Sequence, residues 1–215
     1  MKKTIFLLCG LMAAVLSSSA AEGRVFALAT AGDLEPGFTA RVVDYLEAQT
    51  GAVLRPTDPV AADAAESLEE IGRTAARALR EDEVGVLVLG RFGDGQPQGV
   101  CLPHERFGIL NLSRLEAGAD ADRLVRRTGQ DGLRVLAMLV GMSACPFPLC
   151  VLTGYEQTED LDRMSGNFCP PCRDRFERLA REAGLLMKPA VPAAEAPAEA
   201  ETSDAPAADD APAVD

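Results

Sequence analysis

The sequence predicts a single α/β domain built in layers. Predicted strands and helices alternate along the chain, which is typical of a sheet covered by helices. The predicted strand at 84–89 (VGVLVL) is continuously apolar, as expected of a strand that is buried on both faces. The predicted helix at 120–142 is apolar nearly all round from Leu133 onward, which indicates a central and buried helix.

The first half of the chain provides two strands and two helices before that apolar strand. Residues 24–29 (RVFALA) predict a first strand. Residues 37–50 carry apolar side chains at helical spacing, and Gly51 follows as a stop signal. A short strand is predicted at 52–55. Residues 60–80 are rich in Ala, Glu and Arg and predict a second helix.

The second half begins with a loop and ends with an amphipathic helix. Gly and Pro punctuate residues 90–98 and predict a turn or loop. Two further strands are predicted at 99–102 and 107–112, before the central helix. A cysteine-bearing loop follows that helix, and residues 173–186 predict the closing amphipathic helix.

The first residues have the features of a signal peptide. Lys2 and Lys3 give a basic start, residues 5–16 are almost all apolar, and small residues follow, so cleavage is expected after Ala20 or Ala21. The apolar run is short for a membrane span, so we expect no stable membrane insertion after cleavage. The alternatives to a cleaved signal peptide are a membrane anchor that is retained and the leader of a lipoprotein. We expect an exported, periplasmic or secreted protein, in a compartment where disulfides can form.

The last residues form an acidic segment rich in Ala and Pro that is predicted to be disordered, because it offers too little apolar surface to offset the entropy of ordering.

The formal net charge of the whole chain is -12. This charge argues against nucleic-acid partners, which require clustered Lys and Arg. The predicted organisation is a signal peptide at 1–21, a domain at 22–187 and a tail at 188–215.

Four cysteines are the strongest functional signal in the sequence. They form a C-x4-C pair and a C-x2-C pair joined by an 18-residue loop, at Cys145, Cys150, Cys169 and Cys172. Two short chelating loops can bring four thiolates to one tetrahedral zinc ion. In an exported protein the same sulfurs can instead form two disulfides. The Cys169-Pro170-Pro171-Cys172 segment also resembles a redox dithiol placed before a helix.

The cysteine block and the helix before it resemble the archaemetzincins. In that metalloprotease family a helix with the motif HExxHxxGxxH runs into C-x4-C-x-M, and C-x2-C follows. Gly141 falls on the glycine of the motif, and Leu152 stands where the family has methionine. The resemblance implies a metzincin-like α/β domain with a mixed sheet and flanking helices. It also implies one structural zinc ion at the four cysteines.

The catalytic residues implied by this resemblance are missing. The three zinc-binding histidines of the motif are replaced by Arg134, Met138 and Ala144, and its general-base glutamate is replaced by Val135. A catalytic zinc needs three protein ligands and an open position for water. We therefore expect no catalytic zinc and no metallopeptidase activity.

The leading functional hypothesis is an exported, non-catalytic archaemetzincin-like protein with a binding or scaffold role. Its partner would be an unidentified protein or peptide. One alternative is a thiol/disulfide redox protein that uses Cys169 and Cys172. The other is a residual hydrolase, for which Cys101 and His104 are the candidate nucleophile and base. We expect Cys101 to be a small buried residue on a strand and His104 to be an exposed loop residue.

Overall fold

The structure is a computed structural model that describes residues 23–63 and 65–188. The predicted signal peptide and the predicted tail beyond Lys188 lie outside the described residues. Within those ranges, no helix is both long enough and apolar enough to cross a membrane. The strands are β1 (Val25–Ala31), β2 (Leu54–Pro56), β3 (Glu83–Gly90), β4 (Gly99–Leu102) and β5 (Phe107–Asn111). The helices are α1 (Pro36–Thr50), α2 (Leu68–Arg77), α3 (Leu112–Leu115), α4 (Ala121–Leu139) and α5 (Pro170–Glu182).

The five strands form one mixed sheet in the order β2-β1-β3-β5-β4. Strands β2, β1, β3 and β5 are parallel to one another, and the edge strand β4 is antiparallel to β5. Strand β3 lies at the centre, and all but one of its residues are buried. The predicted α/β class with a mixed sheet and flanking helices is therefore confirmed.

The sheet separates two apolar clusters, because alternate side chains of a strand point to opposite faces. In β1, Phe26 and Leu28 belong to the larger cluster, which also contains residues of α1, α4 and α5. Ala27 and Ala29 belong to the smaller cluster, where α2 packs through Ile71 and its neighbours. The cysteine-bearing segment joins the larger cluster, on the side of the sheet where α4 lies.

Helix α4 packs closely on α1 and on the sheet because its middle carries two glycines. A Cβ atom on Gly129 would lie 2.3 Å from the Tyr45 ring, and one on Gly132 would lie 3.0 Å from a methyl group of Leu46. Beyond the helix, Gly141 has φ +89, a left-handed conformation that favours glycine. The chain turns there, before it enters the cysteine-bearing segment.

The predicted bounds of three helices were wrong. Helix α2 begins at Leu68 rather than at residue 60, because Ser67 and Glu70 form a reciprocal capping box that fixes its start. Helix α4 ends at Leu139 rather than at residue 142. Helix α5 begins at Pro170 and ends at Glu182, where residues 173–186 were predicted, because proline is well suited to the first turn of a helix.

Candidate metal centre

The four predicted cysteines lie together. The Sγ atoms of Cys145, Cys150, Cys169 and Cys172 are all within 4.8 Å of one another. A metal ion is commonly held by three or more His, Cys, Asp or Glu side chains. In the described part of the chain, these four cysteines are the side chains that are close enough together to do so. All four thiols are free in the structure.

Two segments that are separated along the chain bring these sulfurs together. Cys145 and Cys150 enclose a tight turn after α4, closed by a bond from the N–H of Cys150 to the carbonyl oxygen of Phe147. Cys169 is the N-cap residue of α5, and Cys172 lies in the first turn of that helix. The Val151 N–H donates to the Asn167 carbonyl oxygen at 2.8 Å and holds the two segments side by side.

Backbone N–H groups point at three of the sulfurs. The N–H of Phe147 donates to Sγ of Cys145 at 3.4 Å, and the N–H of Cys169 donates to Sγ of Cys150 at 3.5 Å. A bond from the backbone N–H of Cys172 lowers the pKa of the Cys169 thiol. Such bonds favour the thiolate, which is the form that binds a metal.

Burial opposes ionisation of the Cys150 and Cys172 thiols. It raises the pKa of the Cys172 thiol and the pKa of the Cys150 thiol. Without a cation, four thiolates so close together would also repel one another. The cluster is therefore arranged for thiolates, and one bound metal cation would stabilise all four of them together.

The spacing of the sulfurs fits one tetrahedral metal ion. Four sulfurs at about 2.3 Å from a zinc ion lie about 3.8 Å from one another. The Sγ atoms of Cys145 and Cys169 are 3.8 Å apart. A disulfide requires about 2.05 Å between its two sulfurs and would divide the four into pairs. The donor set and its compactness therefore fit a single thiophilic metal.

The residues at the motif positions lie on and after the end of α4, and none is a zinc ligand of the usual kind. Arg134 is largely buried, and Met138 and Ala144 are exposed. Val135 is buried against β5, where a Cβ atom on Gly108 would lie 2.3 Å from its Cγ1 atom. The position that the resemblance assigns to the general base is thus filled by a side chain that packs on the sheet.

A polar network that the sequence did not reveal surrounds Arg134. The Tyr155 hydroxyl donates to the buried Asp131 carboxylate at 2.7 and 2.8 Å, and the Gln98 amide donates to it at 2.8 Å. Burial raises the pKa of the Asp131 carboxyl, and burial also raises the pKa of Tyr155. The sequence did contain one sign of this network. Asp131 and Arg134 are two charged residues in or beside the apolar half of a helix that was predicted to be buried.

The hydrogen bonds of the described residues include none between Cys101 and His104. Cys101 lies on β4, and burial raises the pKa of its thiol to about 11, so the thiol is neutral at pH 7. His104 lies in the following turn, and its side chain is 75% exposed. The structure thus places His104 in solvent, as expected, and Cys101 on a strand as expected but only half-buried there.

Comparison with known proteins gives one sequence relative and several structural ones. An archaemetzincin of Pyrobaculum aerophilum is 28% identical over 81 residues, which are 38% of this chain and 50% of that protein. The matched part therefore spans about half the length of this curated relative. No protein-family model matches the chain.

Two solved structures have the same fold. The archaemetzincin of Methanopyrus kandleri is similar with a TM-score of 0.60 and 18% identity, over 74% of this chain and 96% of that one. A zinc-dependent peptidase of Methanocorpusculum labreanum is similar with a TM-score of 0.59 and 18% identity, over 70% of this chain and 99% of that one. The domain has the archaemetzincin fold, and part of its sequence is similar to an archaemetzincin.

Proposed function

We propose that this protein is a non-catalytic, archaemetzincin-like binding protein whose C-terminal third is held by one structural zinc ion. The observation that carries the proposal is the contrast between two neighbouring sites. Four cysteine sulfurs converge within 4.8 Å, whereas the end of α4 presents Arg134, Val135 and Met138 in place of metal ligands and a base.

The chemistry of those three side chains argues against peptide hydrolysis through zinc. A guanidinium repels a metal cation, and a thioether is a poor ligand for zinc. The buried Val135 cannot accept a proton from a water molecule. The single histidine of the chain, His104, lies in an exposed turn and cannot rebuild a site with three ligands.

The cysteine cluster supports a structural role for the metal. The segment between α4 and α5 contains only a short 3-10 turn at Thr158–Asp162, so it has little regular structure to hold its shape. Zinc would be held by Cys145, Cys150, Cys169 and Cys172 and would fix the start of α5 beside the end of α4. Its binding free energy would contribute to folding, because the unfolded chain has no such site.

Metal analysis of purified protein tests the structural part of the proposal. We expect one zinc ion per chain after purification without added metal, and no reaction of the four thiols with a thiol reagent in the native state. Protein that contains no metal and two disulfides would contradict this part of the proposal.

A panel of peptide and ester substrates tests the catalytic part. We expect no cleavage that depends on zinc, with purified protein at micromolar concentration and with zinc added or removed. Cleavage that a chelator abolishes would contradict the proposed loss of catalysis. Cleavage that a chelator does not affect, and that Cys101→Ser removes, would instead support the residual hydrolase.

One observation favours a thiol redox role as the second candidate. Cys169 is the N-cap of α5, and the pKa of its thiol is lowered, chiefly by the backbone N–H of Cys172. A thiolate at this place can attack a disulfide. Reduction of a disulfide substrate by zinc-free protein, lost in Cys169→Ser, would support this role. Zinc that is retained and thiols that do not react would exclude it.

We also propose that the protein is exported and that its partner is a protein or a peptide. The proposal of export rests on the basic start, the apolar run and the small residues around Ala20 and Ala21. Mass spectrometry of the protein from a cell-envelope or culture fraction should find a new N-terminus at this point. An intact protein that begins at Met1 and is recovered from the cytoplasm would contradict export.

A further inference from the structure

Arg134 carries a largely buried positive charge with little hydrogen bonding. Its side chain is 16% exposed. Its Nε atom is buried and has no hydrogen-bond partner. Among the described residues, its guanidinium makes one hydrogen bond, from Nη2 to the sulfur of Met164 at 3.8 Å. A buried donor without a partner is destabilising, and a charged donor more so.

The nearest anion compensates this charge only in part. The Asp131 carboxylate lies 3.5 Å from Nε of Arg134, and its oxygens already accept bonds from Tyr155 and Gln98. Burial favours the neutral form of this carboxyl. The guanidinium carbon lies over the Tyr155 ring, 4.7 Å from the ring centroid, and this cation–π contact provides no hydrogen-bond acceptor.

An exposed apolar side chain lies on the same face of α4 as Arg134. Met138 lies four residues further along α4, so the two side chains share one face of the helix. Met138 is 37% exposed, whereas its helical neighbours Leu136 and Ala137 are fully buried. The two residues therefore present a cation and an apolar surface side by side.

We propose that Arg134 and Met138 form a binding site for a carboxylate that is attached to an apolar group. The guanidinium has a planar pair of donors that matches the two oxygens of a carboxylate. The apolar group would lie on Met138. This inference deepens the proposed function and rests on it, because a peptide with an apolar C-terminal residue has this chemistry. A small branched fatty acid has it as well.

Calorimetric titration of the full zinc-containing protein tests the site. The probes are the peptide acetyl-Ala-Ala-Leu as a free acid, the same peptide as a C-terminal amide, 4-methylpentanoate and sulfate. We expect the free acid to bind at least about 10-fold more tightly than the amide, which corresponds to the loss of one hydrogen-bonded charge pair. If 4-methylpentanoate binds as tightly as the peptide acid, the carboxylate site stands and its ligand is the small acid.

Three variants locate the site. Arg134→Met should remove the preference for the acid over the amide, and Asp131→Asn should increase affinity for the acid because it removes the competing negative charge. Arg178→Met on α5, where the side chain is 63% exposed, is the control and should bind like the wild type. If Arg134→Met does not fold, the Asp131→Asn result and the acid-to-amide ratio of the wild type decide.

The proposal is overturned if the acid and the amide bind equally, if neither binds, or if sulfate binds as tightly as the acid. It is also overturned if folded Arg134→Met keeps the preference, or if Asp131→Asn weakens binding of the acid. Zinc content and peptide cleavage are measured separately. A failure of carboxylate binding is therefore distinguishable from a failure of the proposed structural zinc or of the proposed loss of catalysis.

Discussion

At the scale of single residues, Cys150 has the most structural consequence among the four cysteines. It has no exposed surface, and its sulfur accepts the N–H of Cys169 across the two segments. Its thiol thus contributes to the apolar cluster under α4 as well as to the metal centre. Replacement of Cys150 by serine would remove a candidate ligand and leave a hydroxyl group in that cluster.

We predict that Cys150→Ser loses the zinc ion and lowers the free energy of unfolding by about 4 kcal/mol or more, as expected when a structural metal is lost. Metal content and urea denaturation measure the two effects. Cys101→Ser is the matched control, because Cys101 is half-buried on β4 outside the cluster, and it should retain one zinc ion. A Cys150→Ser protein with full zinc content would contradict the assignment.

A second residue-scale prediction concerns the ion pair between Arg127 and Asp162. Arg127 is buried and donates to both oxygens of Asp162 at 2.7 and 2.9 Å, and to the carbonyl oxygens of Leu115 and Ala117. Removing one partner of a buried pair costs about 3–5 kcal/mol, because the other charge remains buried. We predict a loss of this size for Asp162→Asn at pH 7, measured by urea denaturation.

The ion pair between Arg127 and Asp162 also predicts that the stability of the domain depends on pH. The bond from Arg127 lowers the pKa of Asp162 from its ordinary value of 3.8 to about 2. A lowered pKa in the folded state gives stability that is present above about pH 4 and is lost as the pH falls toward 2. The difference between wild type and Asp162→Asn should therefore shrink over that range. Arg163→Met, in an exposed pair with Asp160, is the control and should change stability by less than about 1 kcal/mol.

At the scale of elements, the contact between α1 and α4 decides how the buried helix lies on the sheet. Because Gly129 has no side chain, the Tyr45 ring can pack against α4 at this position. The Tyr45 hydroxyl donates to the Gly166 carbonyl oxygen at 3.1 Å. This contact joins α1, α4 and the segment before Cys169. A larger residue at position 129 would separate the two helices and disturb that segment.

We predict that Gly129→Ala lowers the free energy of unfolding by about 1–3 kcal/mol, because the added methyl group would overlap the Tyr45 ring. Gly37→Ala is the matched control. A Cβ atom there would meet only the Glu35 carboxylate, at 3.6 Å, in the first turn of α1. That variant should be neutral or more stable by about 0.5–1 kcal/mol. Equal stability of both variants would show that the helices can move apart without cost.

At the scale of the whole molecule, the domain consists of a sheet between two apolar clusters and a C-terminal third for which we propose a stabilising metal. The sheet is held by strand pairing and by burial on both faces. The last helix, α5, contributes Phe176 and Ala180 to the larger cluster. These two parts should respond differently to removal of the metal.

We predict that a strong chelator under reducing conditions increases amide hydrogen exchange in residues 143–172 and in α5, and lowers the melting temperature. Exchange in β1 and β3 should change much less, because these strands are buried in the sheet. Mass spectrometry of peptide fragments measures both regions. An equal increase throughout the domain, or no increase at the cysteines, would contradict a local structural role for the metal.

The sequence by itself determined the α/β class, the strands and the four candidate ligands. These features follow from local periodicity and from covalent spacing: an apolar run such as 84–89 is buried in any fold, and C-x4-C and C-x2-C pairs bring sulfurs close within each loop. The proposed replacement of the HExxHxxGxxH residues by Arg134, Val135, Met138 and Ala144 rests on the sequence alone. Helix ends were less well determined, because a capping box decides the start of α2.

Only the tertiary structure decided how the site around Arg134 is built. Gln98 and Tyr155 are 57 residues apart, and both contact Asp131 only because β4, α4 and the cysteine-bearing segment meet there. No local pattern predicts such contacts, since burial and partners depend on segments distant in sequence. The packing of Val135 on Gly108 was decided in the same way, by the close approach of α4 to β5.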